Sequence, residues 1–403
     1  MIPSSETTRL LSRVSLTRRA AIGGIALSML GRWATPAPQV QAQTRKAALV
    51  FHQQPFRDTT SPRDVARNID YIESLPFDGI TVVLSASAQL MQGQPIPYSD
   101  MYDNGLAPLT GVFKRMRHNF VLAYMDSPGD LFTDSAWATT VQNFRYLARA
   151  ARAAGLKGIF FDNEAYNRQW TDYPEDYVNP QHTLQEYQQQ AHLRGRQIME
   201  AMVSEYPDIS VLFFHGPYLS EPKTPLYVRM NQAGASFEHE LHGPFFVGFL
   251  DGLGDRAKLI DGGEVYQYRT ADDFRKSYDW RKVGMASPET NCSFVSNNLR
   301  AIWANKVSIG FGQATYAAFG DPMSPDIMRS SLANALQQAD DYVWVYTEED
   351  TWMNPGGMPS KWQDAFRSAT GSTSGGSGGS GGNVPPRRRR RKKGRKRGGR
   401  RHN

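Results

Sequence analysis

Eight short apolar runs recur along residues 43–370, and their spacing limits the possible folds more than any other feature of the chain. They occupy 47–52, 79–85, 120–126, 157–164, 210–216, 257–264, 307–313 and 342–348, and most are rich in β-branched or aromatic residues. Such runs read as strands buried on both faces. Between them lie helix-like stretches. Residues 62–75 show an apolar period of three to four, and 135–154 is rich in Ala and Arg and stops at Gly155, a residue suited to ending a helix. Residues 183–206 and 325–339 read the same way. Alternating buried strands and amphipathic helices predict a parallel sheet covered by helices, and eight units predict a single-domain (β/α)8 TIM barrel. An open doubly wound sheet is disfavoured, because no Gly-x-Gly-x-x-Gly turn follows the first run. The long segment 227–255, where Phe237, Phe245, Phe246 and Phe249 alternate with His239 and His242, is expected to form a helix plus a loop lining the site.

The ends differ from the body. Arg18-Arg19 precede a short apolar stretch rich in Gly and Ala, 20–30, and Val40-Gln41-Ala42 supplies a small-x-small exit. That pattern predicts a twin-arginine signal peptide over residues 1–42, with export to the periplasm, cell surface or exterior. The stretch is shorter than the roughly 20 apolar residues a membrane span needs. At the other end, 371–386 is a Gly/Ser/Pro linker, and 387–403 is a tail expected to be disordered, carrying twelve Lys and Arg. The whole chain is only +7, so the catalytic body at 43–370 is acidic and is not expected to bind nucleic acid generally. The tail has no aromatic residue to stack on bases, which favours an anionic surface polymer as its partner over a specific nucleic acid. Cys292 is the single cysteine, so no intrachain disulfide can form and zinc sites with two cysteine ligands are excluded.

In a barrel of this kind the working residues collect at the C-terminal ends of the strands. The fourth run reads Gly158-Ile159-Phe160-Phe161-Asp162-Asn163-Glu164-Ala165-Tyr166. Alternation puts Asp162 and Glu164 on one side of the strand, and Glu264 ends the sixth run at the same rim. Asp126 ends the third run, His215 and Tyr218 follow the fifth, Gln313 ends the seventh, and Trp352 follows the eighth. Hydrolysis of a glycosidic bond needs one carboxyl to protonate the leaving oxygen and another to attack or to activate water. Crowded carboxyls also raise one another's pKa, keeping one protonated near neutral pH. Asp162, Glu264 and Glu164 are therefore the catalytic candidates. Asp162 is expected as nucleophile or electrostatic stabiliser, Glu264 as general acid/base, and Glu164 as the substitute for either. His215, Tyr166, Tyr218, Tyr266, Gln313, Trp352 and Asp126 are the expected sugar contacts, with Trp170 a further rim aromatic. His239-x-x-His242 lacks the His-Glu-x-x-His spacing of a helical metal site, and no metal or other cofactor is expected.

The fourth run resembles the fourth-strand signature of (β/α)8 glycoside hydrolases. The chitinase-like family ends this strand in Asp-x-Asp-x-Glu. Asp162-x-Glu164 matches it, with Phe160 in place of the earlier Asp. The clan that ends strand four in Asn-Glu is matched by Asn163-Glu164, but this chain has Gln313 where that clan keeps its strand-seven nucleophile. A third set, with exopolysaccharide hydrolases and the α-galactosidase-like clan, places acids at strands four and six, and Asp162 and Glu264 fit that layout. The resemblance implies a polysaccharide hydrolase. The rival expectation is a non-catalytic glycan-binding barrel tethered to envelope polymer by the basic tail. Retention or inversion depends on a carboxylate separation that spacing alone does not supply.

Overall fold

The computed structural model describes residues 48–53, 60–164, 170–177, 179–220, 239–287, 292, 294–318, 322–348 and 350–371. The chain divides into two units, Met1–Thr44 and Arg45–Asn403, and every described residue belongs to the second.

Nine parallel strands form one sheet: β1 Ala48–Gln53, β2 Gly79–Val82, β3 Phe120–Tyr124, β4 Gly158–Asp162, β5 Ser210–Phe213, β6 Lys258–Asp261, β7 Val307–Ile309, β8 Phe311–Ala314 and β9 Tyr342–Thr347. Their spatial order is β7-β6-β5-β4-β3-β2-β1-β9-β8. The two outermost members, β7 and β8, are consecutive pieces of the expected seventh strand, separated by Gly310 alone. β7 pairs with β6, and β8 pairs with β9. Across the break, Gly310 N donates to Asp261 O (2.8 Å) and Gly312 N to Gly263 O (2.7 Å). The wall therefore closes as the expected eight-position barrel, with its seventh position split.

The helices form where the periodicity placed them. Leu184–Glu205 starts at a capping box in which Thr183 and Glu186 satisfy each other's backbone N–H. Asp134–Ala153 ends before Gly155, which takes the left-handed conformation (φ 72°). Pro325–Gln338 starts on the Ser324 cap with Pro at its first position. The 62–75 stretch is two short helices, Pro62–Arg67 and Ile69–Ile72, and no long helix joins β2 to β3. Of the 227–255 segment, the described part contains the helix His242–Asp251, buried along nearly its whole length against Leu184–Glu205. No helix among the described residues is long and apolar enough to cross a membrane.

Strand alternation divides the core into two. Leu49, Phe51, Ile159, Phe161, Val211, Phe213, Val343 and Val345 point outward to the helices. Val50, Phe120, Leu122, Phe160, Leu212, Phe214, Ile260 and Trp344 fill the barrel interior. Trp344 dominates the interior. Its indole stacks on Phe214 (4.8 Å between centroids, 8° between planes) and donates to Gly262 O at 3.0 Å. A Cβ on Gly312 would come within 2.4 Å of that indole. Gly312→Ala should destabilise the protein by about 1–3 kcal/mol, the usual cost of overpacking a filled core, read as a lowered denaturant midpoint with unchanged m-value.

Candidate functional site

At the C-terminal mouth the ends of three neighbouring strands converge. Glu164 follows β4, His215 follows β5 and Glu264 follows β6. His215 Nε2 lies 3.5 Å from Glu164 Oε1 and 3.2 Å from Glu264 Oε2. One ligand atom from each of the three residues falls within 4.8 Å of the other two, a spacing compatible with a divalent cation. His215 is fully buried, while the Glu164 and Glu264 side chains keep 21% and 12% of their surface open, so both carboxyls reach the mouth.

The backbone turns that deliver these groups are held by polar contacts. Asn163 Oδ1 accepts from His215 N (3.1 Å) and Asn163 Nδ2 donates to His215 O (2.8 Å), which ties the end of β4 to the end of β5. The same amide nitrogen lies 2.7 Å from His242 Nε2. Burial, reinforced by His239 and His215, drives the His242 pKa well down, so its ring is neutral, and its Nε2 also lies 3.0 Å from the Asn163 carbonyl oxygen. Asp162 is buried within the barrel, and its Oδ1 accepts from Glu164 N at 3.2 Å.

Behind Glu264 stands a buried ion pair. Asp261, the last residue of β6, points out of the barrel toward Arg281. Arg281 Nε donates to Asp261 Oδ2 (2.8 Å), Nη2 to Oδ1 and to the Asp261 carbonyl (2.5 Å each), and Nη1 to Gly310 O (2.9 Å). Tyr218 OH donates to Asp261 Oδ1 at 2.8 Å. The guanidinium thus joins the end of β6 to the break between β7 and β8. Gly263, at φ 55°, passes so close that an added Cβ would lie 2.2 Å from Arg281 Nη1. Glu264 is the next residue, so this clamp sets where its carboxyl emerges.

The electrostatics follow from crowding and burial. Removal from water raises the Glu264 pKa to about 7, assisted by the nearby charge of Glu164 and opposed by His215. Burial alone would lower His215, but the two carboxylates outweigh it and hold the imidazolium up to about 10. Four tyrosines surround the group: Tyr124, Tyr266, Tyr316 and Tyr346. Burial raises all four, and the carboxylates of the mouth act on each: Asp162 on Tyr124, Glu264 and Glu164 on Tyr266, Glu264, Glu348 and Glu164 on Tyr316, and all four acids on Tyr346. Tyr266 and Tyr346 stack at 6.3 Å with 11° between planes, and Tyr316 sits edge-on to Tyr346 at 5.8 Å.

The structure sorts the residues expected from sequence. Glu164, Glu264, His215 and Tyr266 come together, with Asp162 just inside. Asp162 does not pair with Glu264 across His215; Glu164 occupies that position, because the chain turns after Asp162 and only the later residue reaches the rim. Tyr218 faces the Asp261–Arg281 clamp, fully buried, and is not at the mouth. Gln313 points outward, where Nε2 donates to Val265 O (3.2 Å) and Gly312 O (2.9 Å) and Oε1 meets Ser331. Trp352 is fully buried against Phe77 and Phe366 and donates to Thr347 Oγ1 (3.0 Å), so it cannot stack on a sugar. Trp170 is likewise core, edge-on to Trp137. Asp126 is half-buried and bonds Gln92 Nε2 (2.8 Å) and Ser127 N (2.7 Å). Tyr166 lies outside the described residues. His239 pairs with Asp172 and His242 with Asn163, so these two histidines have separate partners.

Sequence reasoning missed His52, Tyr124, Tyr316, Tyr346 and Arg281. Alternation from Val50 and Trp344 already pointed His52 and Tyr346 inward, but attention to carboxylates alone passed over them. Arg281, in the helical turn Asp279–Gly284, carries no sequence signal that separates it from a surface arginine.

No family model matches the chain, and no curated protein sequence matches it. Solved structures similar to it include a GH18 chitinase from Pseudoalteromonas aurantia, at 14% identity over 80% of this chain and 100% of that one (TM-score 0.37). A beta-mannanase from the blue mussel Mytilus edulis is 11% identical over 77% of this chain and 82% of that one (TM-score 0.35). A 3-keto-D-glucoside 4-epimerase from E. coli is 11% identical over 79% and 98% (TM-score 0.40). What the site can do rests on its own residues.

Arg281→Ala would leave Asp261 charged and buried without its partner. It should lower stability by about 3–5 kcal/mol, the range for breaking a buried pair, measured by equilibrium unfolding.

Proposed function

We propose that the protein hydrolyses glycosidic bonds of a polysaccharide, with Glu264 as general acid/base and Glu164 as nucleophile. The observation that carries this reading is the pair of mouth carboxyls that meet at one nitrogen of a buried imidazolium, with ligand atoms within 4.8 Å of one another. Glu264 is raised toward 7 and can hold a proton near neutral pH. Glu164 is more open to the mouth than Glu264 and shares its imidazolium contact, and it is assigned the nucleophile's role.

In the first step Glu164 attacks the anomeric carbon, and Glu264 gives its proton to the departing glycosidic oxygen. The sugar is then an ester of Glu164. In the second step Glu264, now a carboxylate, takes a proton from water, and the water oxygen displaces Glu164 from the anomeric carbon. His215 does not touch the reacting bond. Its positive charge steadies whichever carboxylate is ionised at each stage, and Asn163 keeps it in register. The nearest ligand oxygens of Glu164 and Glu264 lie within 4.8 Å of each other, too close for the roughly 6.5–9.5 Å between carboxyl groups that accommodates an inverting water. We therefore propose retention of anomeric configuration, read by NMR of the first-formed product.

We also propose that residues 1–42 direct twin-arginine export and that 387–403 holds the exported protein on anionic envelope polymer. Salt-sensitive retention lost on deleting 383–403 would support the tether, and retention indifferent to salt would remove it.

The first experiment is reducing-end release from a panel of bacterial and plant polysaccharides, with and without a chelator. Glu264→Gln should lose about 10²–10⁴ in kcat/KM, the usual contribution of general acid–base catalysis. Glu164→Gln should be equally inactive. No release by wild type, with glycan binding unchanged in both variants, would favour the glycan-binding barrel, and activity lost to the chelator would point to a metal at the same three residues. In wild type, kcat/KM should fall as pH rises through about 7, because Glu264 then loses the proton it must donate. A pH–rate profile flat between pH 6 and 9 would remove Glu264 from the acid role.

A further inference from the structure

His52, on β1, takes no part in the reaction above. It points into the barrel, where its ring lies face to face with Phe160 (5.3 Å between centroids, 16° between planes) and with Tyr346 (5.7 Å, 26°). Phe214 meets it edge-on at 6.0 Å. These neighbours fix the plane of the imidazole, and the Glu164 charge acts on it from the mouth. His52 is 4% exposed, and its Nδ1 is buried with no hydrogen-bond partner among the described residues. Buried polar atoms nearly always have a partner, so each exception needs an explanation.

Burial lowers the His52 pKa to about 4 against the opposing pull of Glu164, so the ring is neutral at neutral pH. A neutral imidazole offers one donor and one acceptor. A sugar hydroxyl, itself donor and acceptor, complements it without adding charge next to Glu164. His215 contrasts with it: its Nε2 lies 3.2 and 3.5 Å from two carboxyls, whereas His52 makes no ion pair with an acid among the described residues.

We propose that His52 is a substrate-positioning residue that hydrogen-bonds a hydroxyl of the sugar unit lying over Glu164 and Glu264. The proposal rests on the glycan reading of the mouth and names the contact that sets the depth of the sugar. Phe160 and Tyr346 supply the rigid support, and the ring nitrogens supply the recognition.

The test is calorimetric binding of neutral and N-acetylated oligosaccharides to the full chain in the Glu264→Gln background, where bound sugar is not consumed. His52→Phe keeps the stacked plane and removes both nitrogens. It should weaken binding 10- to 100-fold without lowering the melting temperature, since an unpartnered buried polar group is replaced by an apolar one of similar shape. His52→Gln keeps a donor and an acceptor and should recover most of the affinity. Thr81→Val is the control. Thr81 Oγ1 is also buried without a partner on the adjoining strand, and the register that sets Phe51 beside Ile80 sets His52 beside Thr81. Its loss should leave affinity within twofold. Affinity within twofold in His52→Phe, or an equal loss in Thr81→Val, overturns the proposal. Weakened binding in His52→Phe with no reducing-end release by wild type would leave His52 in place and remove the hydrolase. Release by wild type with His52→Phe binding normally would do the reverse. No glycan bound by the barrel would overturn both.

Discussion

The indole of Trp344 is the constraint on which the rest of the molecule depends. One side chain of that size inside the wall, hydrogen-bonded to Gly262 O and stacked on Phe214, leaves no room for a side chain at its register partner on the adjoining strand. β8 therefore presents Gly312 to it, and β6 is followed by Gly262, where a Cβ would crowd the indole nitrogen, and by Gly263, where one would crowd Arg281. The glycines bring the β6 rim close to the broken seventh position, where the parallel bridge between Glu264 and Gly312 forms. Glu264 thus reaches the mouth beside His215 with a filled interior below it and the Arg281 clamp behind it.

The site also concentrates an electrostatic burden. Two carboxyls and an imidazole with little access to water would be costly if any one stood alone. Together they are tolerable, because both acids approach the same imidazolium nitrogen and only one acid needs to be ionised beside it. The Asp261–Arg281 pair handles its charge differently. It is closed from solvent, its donors and acceptors are satisfied by Tyr218 and Gly310, and it supports the backbone without taking part in chemistry. One buried charge group is open at a rim and adjustable, and the other is sealed and structural.

The barrel was legible in the sequence because its strands are nearly continuous apolar runs and its helices carry their own stop signals, as at Thr183, Ser324 and Gly155. The third dimension of the site was less legible. Period-two alternation correctly put Asp162 and Glu164 on one side, but it could not say which would reach Glu264, since that depends on how the chain turns after the strand. Trp352 and Tyr218 looked like rim aromatics because they follow strand ends. Each turns away from the mouth, Trp352 into an aromatic cluster and Tyr218 into an ion pair whose second member, Arg281, lies 20 residues beyond Asp261. Contacts made by chain reversal leave no periodic trace. His52 and Tyr346 did leave one, and they went unnoticed only because neither carries charge.

The split of the seventh strand has the character of a dislocation in a lattice. Order persists on both sides, three residues in step with β6 and four in step with β9, and the misfit is confined to Gly310 between them. A wall that spread the same mismatch over several strands would loosen everywhere. Confining it to one line keeps the remaining strands regular and leaves a single irregular place on the circumference. The proposed acid stands beside that line, so the least lattice-like part of the barrel is also where its chemistry is concentrated.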